Sequence, residues 1–173
     1  MLRQVGGAGR PVREQSERMG TSREYPERPI VGIGGIVIHE DRAALIRRGS
    51  EPLRGEWSIP GGSLELGETL EEGVVRELLE ETGLAVRVAG MVEIFERIFS
   101  EDPVRYVKGK IRPRYHFVIV DYLCERLSGE LRAGGDAVDV AYAREDELEQ
   151  FHLTETALRV LHTAFAMYRA RRT

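Results

Sequence analysis

The period of apolar and polar positions changes several times along the chain, and each change marks an element. Ile30 to Ile38 (IVGIGGIVI) is an apolar, β-branched run closed by the turn-like His39-Glu40-Asp41, which predicts a strand. Gly34-Gly35 inside it points to a bulge or to a close approach by another part of the chain. Ala43 to Arg47 predicts a second strand in a hairpin with the first. Gly49 to Gly62 is rich in glycine and proline and reads as loop, interrupted only by Trp57-Ser58-Ile59. Thr69 to Thr82 follows a helical period, and Gly83 stands where a helix-ending glycine belongs. Leu84 to Phe99 and Arg114 to Cys124 read as two or more strands, separated by a polar segment at 100–113 expected to be mobile. A glycine-rich turn follows at Ala133-Gly134-Gly135-Asp136, then two helices at about 144–150 and 154–170. The second helix carries Ala157, Leu158, Leu161, Phe165 and Tyr168 on one stripe, which is expected to pack on the sheet.

Residues 1–28 break this regularity. They hold six arginines and four glutamates with glycines, two prolines and no sustained period. They are expected to form a flexible arm, leaving one domain at 29–173. A domain of that size buries enough surface to need no disulfide. The single cysteine, Cys124, has no partner in the chain and sits in the apolar run Tyr115 to Cys124, so a buried, inert thiol is expected. The 25 Lys and Arg against 29 Asp and Glu give a formal charge of −4, which argues against a protein devoted to nucleic-acid binding. No stretch is long and apolar enough to span a membrane and no apolar leader is present, so a cytoplasmic location is expected.

The candidate chemistry lies between Gly62 and Leu84 (GSLELGETLEEGVVRELLEETGL). Thr69 is positioned to cap the helix, with Glu72 completing a capping box. Glu77, Glu80 and Glu81 project within a sector of about 100° on that helix, while Val74, Val75, Leu78 and Leu79 fill much of the other side. Like charges in one stripe repel unless something positive stands against them. Hard oxygen donors from one face suit Mg²⁺ or Mn²⁺. Arg76 adjoins Glu77 and precedes Glu80 by four residues, so it can hold a carboxylate in place. Taken by itself, the stripe fits a metal site and an acidic surface helix equally well.

The spacing decides between them by resemblance. Gly62, Glu68 and Arg76-Glu77-Leu78-Leu79-Glu80-Glu81-Thr82-Gly83-Leu84 match every fixed position of the Nudix box, G-x5-E-x7-R-E-U-x-E-E-x-G-U with U aliphatic. The chain thus resembles a Nudix hydrolase from about Pro29 to Tyr168, closest in appearance to bacterial ADP-ribose pyrophosphatase-like members. The resemblance implies an α/β (α+β) fold, an α/β/α sandwich around a mixed sheet. It also implies that Glu77, Glu80 and Glu81 ligate Mg²⁺ (or Mn²⁺), with Glu68 accessory and a carbonyl at Gly61 or Gly62 adding a contact. Arg76 would orient a catalytic glutamate. The general base would be a box glutamate, Glu77 or Glu80, or an acid on the later loop, Asp136 or Asp139. Gly73 departs from the alanine common there; extra room for a phosphate or second metal and a neutral drift are both open.

The implied reaction is attack of water on a diphosphate, with a nucleoside monophosphate as one product. Tyr115 to Cys124 and Gly134 to Leu148 resemble bacterial Nudix proteins described as ADP-ribose pyrophosphatases, which implies an ADP-ribose-like substrate, although the proline that often marks ADP-ribose hydrolases beyond the box is absent. Hydrolysis of (deoxy)nucleoside triphosphates is the alternative. A non-catalytic ligand sensor is the second alternative, disfavoured by retention of every box carboxylate. Arg47, Arg48 and Arg54 can meet phosphates or stand as solvated surface arginines, the reading the sequence favours for each, and Trp57 can stack on a base or pack before the Pro-Gly-Gly turn. The expected partner is a small nucleotide, with no membrane or nucleic acid, and a homodimer by analogy.

Overall fold

A computed structural model describes residues 23–100, 106–107 and 110–172. The expected arm therefore lies outside the described residues up to 22, as does much of the polar segment at 100–113. The elements are β1 (Ile30–His39), β2 (Arg42–Arg48), β3 (Trp57–Ser58), β4 (Gly61–Ser63), α1 (Leu70–Thr82), β5 (Ala85–Phe99), β6 (Tyr106–Val107), β7 (Lys110–Ile111), β8 (Tyr115–Ser128), β9 (Ala137–Arg144), a 3-10 helix (Glu145–Phe151) and α2 (Glu155–Ala170). The main sheet runs β3-β2-β1-β8-β5, with β4 also on β1 and β9 also on β2, while β6 and β7 form a separate hairpin. It is mixed, because β1 and β8 are parallel and its other pairings are antiparallel.

Side-chain alternation along β1 divides the core. Ile33 and Val37 join Val74 and Leu78 of α1 on one face. Ile36 and Ile38 join Val160, Leu161 and Phe165 of α2 on the other. The result is the expected α/β/α sandwich. The two central glycines point to opposite faces. A Cβ at Gly34 would stand 2.1 Å from Asp121 Oδ1, and one at Gly35 would stand 2.4 Å from Leu78 Cδ1. Register with β8 is continuous from Ile30 to Val37, so these glycines serve close approach and not a bulge.

Helix α1 is bounded by local chemistry. Thr69 Oγ1 accepts from the Glu72 amide at 3.2 Å, and the Thr69 amide donates to Glu72 Oε2 at 2.9 Å. At the other end Gly83, at φ 70°, donates its amide to Leu79 O. Gly73 is explained by packing: a methyl there would meet Ile33 Cδ1 at 2.5 Å. The space is taken by the α1–β1 contact.

Two elements differ from expectation. The stretch read as unassigned after the glycine turn is strand β9, paired with β2 along most of its length. Its inward positions include Ala137 and Ala143, whose small side chains carry little apolar signal. The helix expected at 144–150 is a 3-10 helix, stopped at His152 with φ 50°. Ahead of β1, the Tyr25 amide donates to Arg114 O at 2.7 Å, and Glu24 Oε1 accepts from Arg114 Nη2 and the Tyr115 hydroxyl, both at 2.7 Å. Those hydrogen bonds hold the Glu24 carboxyl below the usual carboxylate range.

The α1–β1 interface yields the first prediction. Leu78 is fully buried, so Leu78→Ala should lower stability by about 2–5 kcal/mol. Gly35→Ala should cost about 1–3 kcal/mol by overpacking against Leu78 and Val74. Urea unfolding should show lower midpoints at unchanged slope; a midpoint for Leu78→Ala equal to wild type would contradict this packing.

Candidate active site

Strand β4 and helix α1 come together through glycine backbone. Gly61 takes φ 153°, and a Cβ there would fall 2.1 Å from Ile33 O. Its amide donates to Glu81 Oε2 at 2.7 Å. At Gly62 a Cβ would lie 2.3 Å from Glu77 Oε1, so the missing side chain admits that carboxylate against the strand. The two glycines thus seat two helix carboxylates, one by a hydrogen bond and one by leaving space.

Arg76 organises the others. Its Nε and Nη2 donate to the two oxygens of Glu68 at 2.6 and 3.0 Å. Its Nη1 reaches Glu77 Oε1 at 2.8 Å and Glu80 Oε2 at 3.4 Å, and Nη2 also donates to Ser63 O at 3.3 Å. Hydrogen bonds from Arg76, helped by the Glu65 amide, hold Glu68 down to about 2. Burial dominates at the other two inner positions. Glu81 is only 4% exposed and is pushed up to about 7, against the opposing Gly61 hydrogen bond. Burial also raises Glu77, against the lowering by Arg76.

Arg76, Glu77, Glu80 and Glu81 line a cavity of about 350 Å³, together with Gly61, Gly62, Arg48, Ser50 and Asp136. Arg48 is anchored through Nε to Pro52 O at 2.9 Å, and burial pulls its pKa below the usual arginine value. Asp136 Oδ2 accepts from Ser50 Oγ at 3.1 Å, and its carbonyl accepts from the Gly49 amide at 2.8 Å. Gly134 donates to Glu81 O, which pins this loop to the end of α1. Glu77, Glu80, Glu81, Arg76, Gly62 and Asp136 therefore share one cleft.

Other residues proposed from the sequence stand elsewhere. Glu68 lies behind Arg76. Asp139 is exposed and accepts from the Val140 amide next to it. Arg47 is exposed and donates to Gly55 O at 2.9 Å, at the step where the β2–β9 register is irregular. Arg54 is exposed in the β2–β3 loop. Trp57 meets Phe151 edge to face at 5.1 Å and packs on the α2-side core. None of Asp139, Arg47, Arg54 and Trp57 lines the cavity.

The cavity also recruits residues that sequence reasoning passed over: Arg23, Phe95, Arg97, Phe99, Phe117 and Asp121. Asp121 had a visible signal, a lone acid inside the apolar run YHFVIVDYLC. Cys124 from the same run is buried and pushed up to about 12 by that burial, as suits an inert thiol.

As they stand, no three acidic, histidine or cysteine side chains among the described residues enclose an ion. Arg76 and the Gly61 amide hold the carboxylates instead. The donor chemistry nevertheless fits a hard divalent cation. Two carboxyls, Glu77 and Glu81, are buried to the point of being raised, and a bound dication would offset that cost directly.

Comparison with known proteins agrees with this geometry. The NUDIX domain family model matches residues 28–164. An ADP-ribose pyrophosphatase of Methanocaldococcus jannaschii is 35% identical over 66% of this chain, the match spanning 61% of that protein. A MutT-like protein of Streptomyces ambofaciens is 31% identical over 76% of this chain and 74% of its own length. Among solved structures, a MutT NUDIX hydrolase from Burkholderia pseudomallei superposes with a TM-score of 0.66 at 29% identity, covering 79% of this chain and 98% of that one. With the matched domain spanning most of the chain and the carboxylates of its signature helix gathered in one cleft, the protein belongs to the Nudix family.

Proposed function

We propose that this chain is a metal-dependent hydrolase that cuts the diphosphate linkage of a nucleoside diphosphate joined to a second moiety, releasing a nucleoside monophosphate. An ADP-ribose-like substrate is favoured. The observation that carries the reading is the meeting of Glu77, Glu80 and Glu81 with Arg48 and Asp136 in one cleft. The name of the archaeal relative supports the choice of substrate class.

Mg²⁺ is the proposed ion, with Mn²⁺ a substitute, held by Glu77, Glu80 and Glu81, with Glu68 and a carbonyl of Gly61 or Gly62 as accessories. When bound, such an ion withdraws charge from the phosphates and acidifies water. The chain supplies the positioning. Arg76 and the Gly61 amide fix the carboxylates before substrate arrives. Arg48, tethered to Pro52 O, presents its remaining guanidinium N–H groups to phosphate oxygens. The oxygen of water bonds to phosphorus as the bond to the bridging oxygen breaks, and the water's proton passes to a carboxylate. Asp136 is the proposed acceptor, because Ser50 orients it within the cleft. Among the described residues no helix is long and apolar enough to cross a membrane.

Product analysis tests the reading. With Mg²⁺, ADP-ribose should give AMP and ribose 5-phosphate, and excess chelator should stop turnover. A triphosphate cleaved with tenfold higher kcat/KM, about 1.4 kcal/mol of transition-state preference, would transfer the assignment to triphosphate hydrolysis. Glu81→Gln should lower kcat by roughly 10²–10³ while leaving the fold intact. Asp136→Asn should depress kcat by roughly 10²-fold or more, the scale for a general base, while Asp139→Asn stays near wild type. The reverse ranking would move the proton acceptor to Asp139.

Stability should report the buried Glu81 independently of turnover. Its carboxyl is raised from 4.5 to about 7, so the folded chain holds a proton there that the unfolded chain releases. This group's contribution to stability therefore falls as pH rises from about 4.5 to about 7. In chelator, Glu81→Gln should gain Tm relative to wild type across that interval. A gap between the two proteins that does not change with pH would contradict the burial of this carboxyl.

A further inference from the structure

Residues 23–29 belong to no strand or helix, yet they are fastened to the domain. Glu24 Oε1 accepts from Arg114 Nη2 and from the Tyr115 hydroxyl, both at 2.7 Å, and the Tyr25 amide donates to Arg114 O at 2.7 Å. Arg112 adds a further hold: its guanidinium lies over the Tyr25 ring at 5.7 Å, and its Nη2 donates to Tyr25 O at 3.3 Å. Tyr25 itself takes φ 52°, a left-handed conformation that a bulky side chain adopts only at a cost. Strain of this kind persists where surrounding contacts outweigh it, and it collects at functional sites.

The residue just before these anchors is Arg23. It is exposed at the edge of the cleft, and it lines the cavity together with Arg48, Gly62 and Glu77. Its charge is felt by both Glu77 and Arg48. Among the described residues its guanidinium nevertheless makes no hydrogen bond and no ion pair. Glu77 is not its partner, because Arg76 already engages that carboxylate. The other arginines of the cavity are occupied differently. Arg76 is spent on the carboxylates, Arg48 is tethered to Pro52 O, and Arg97 lies over the Phe99 ring at 5.2 Å. Two guanidiniums close enough to repel, with donors unused on both, match an anion that both can reach.

We propose that residues 23–25 form a strap that delivers Arg23 to the mouth of the cleft, where its guanidinium joins Arg48 in holding non-bridging oxygens of the substrate diphosphate. The anchors at Glu24 and Tyr25 fix the backbone beside Arg23, so less freedom is lost when the contact forms. The position also suits the chemistry, since the phosphates must lie beside Glu77 for an ion held there to reach them. The assignment rests on the nucleotide-hydrolase reading for the presence of a diphosphate. It deepens that reading by giving a phosphate contact to a segment ahead of the first strand.

Full-length variants at saturating Mg²⁺ test it. Arg23→Ala should raise the Kd for inorganic pyrophosphate, read by calorimetry, and lower kcat/KM for ADP-ribose, each by about five- to tenfold. Its Tm should match wild type, because no partner is lost. Glu24→Arg sets like charges together at Arg114 and frees the strap, so it should reproduce the fall. The double variant should fall no further than Arg23→Ala alone. Unchanged pyrophosphate affinity in Arg23→Ala, wild-type behaviour of Glu24→Arg, or losses that add in the double variant would overturn the assignment. So would a gain in affinity or turnover in Arg23→Ala, which would make the strap a plug. Arg23-dependent pyrophosphate binding by a protein that leaves ADP-ribose intact would support this assignment and overturn the choice of substrate alone. Turnover of ADP-ribose indifferent to residue 23 would leave the hydrolase reading standing and remove this one.

Discussion

Crowded carboxylates on a helix repel one another, and here a single guanidinium makes their arrangement tolerable. Arg76 reaches Glu68, Glu77 and Glu80 and also the Ser63 carbonyl. Its planar fork ties the loop before α1 to the middle of that helix and to β4. A lysine, with a compact point charge on a flexible stem, could not span those partners in one fixed geometry. The position of β4 against α1 then allows the Gly61 amide to reach Glu81. Charge balance and backbone geometry are thus one problem with one solution.

The glycines carry the other half of that solution. Gly61 and Gly62 bring backbone within reach of two carboxylates, and a methyl at either would collide with its neighbour. The cleft mouth is completed from a distant part of the chain, by the loop at Gly134 to Asp136. That loop is fastened to α1 through Glu81 O and to the end of β2 through Gly49. Long-range hydrogen bonds between backbone groups, insensitive to side-chain identity, hold it there.

What was legible in the sequence follows from this division. Helix α1, its Thr69 cap, its Gly83 stop and its acidic stripe are set by spacing within one short segment, and they could be read without a partner. The layer order was legible too, because α2 and β1 carry strong apolar periods. Strand β9 was not, since alanines at inward positions leave its pairing with β2 to define it. Whether Arg47 or Arg48 enters the cleft depends on the register of β2, a property of the assembled sheet. Asp121 needed the parallel β1–β8 alignment before its neighbour Gly34 could be seen. The docking of Glu24 on Arg114 and Tyr115 joins residues about 90 positions apart and has no local trace.

The two adjacent glycines of β1 have a consequence for how such a protein can change. Because neighbouring strand positions face opposite ways, Gly35 lies under α1 while Gly34 opens the floor beside Asp121. The packing under the helix and the pocket floor beyond the carboxylates therefore lie on opposite faces of the sheet, even though both border one cleft. Substitutions on the outer parts of β5 and β8 can reshape the pocket without disturbing the packing under the helix. Selection can then act on ligand preference and on chemical machinery as nearly independent traits, and duplicated copies of such a chain can diverge in diet while keeping the same engine.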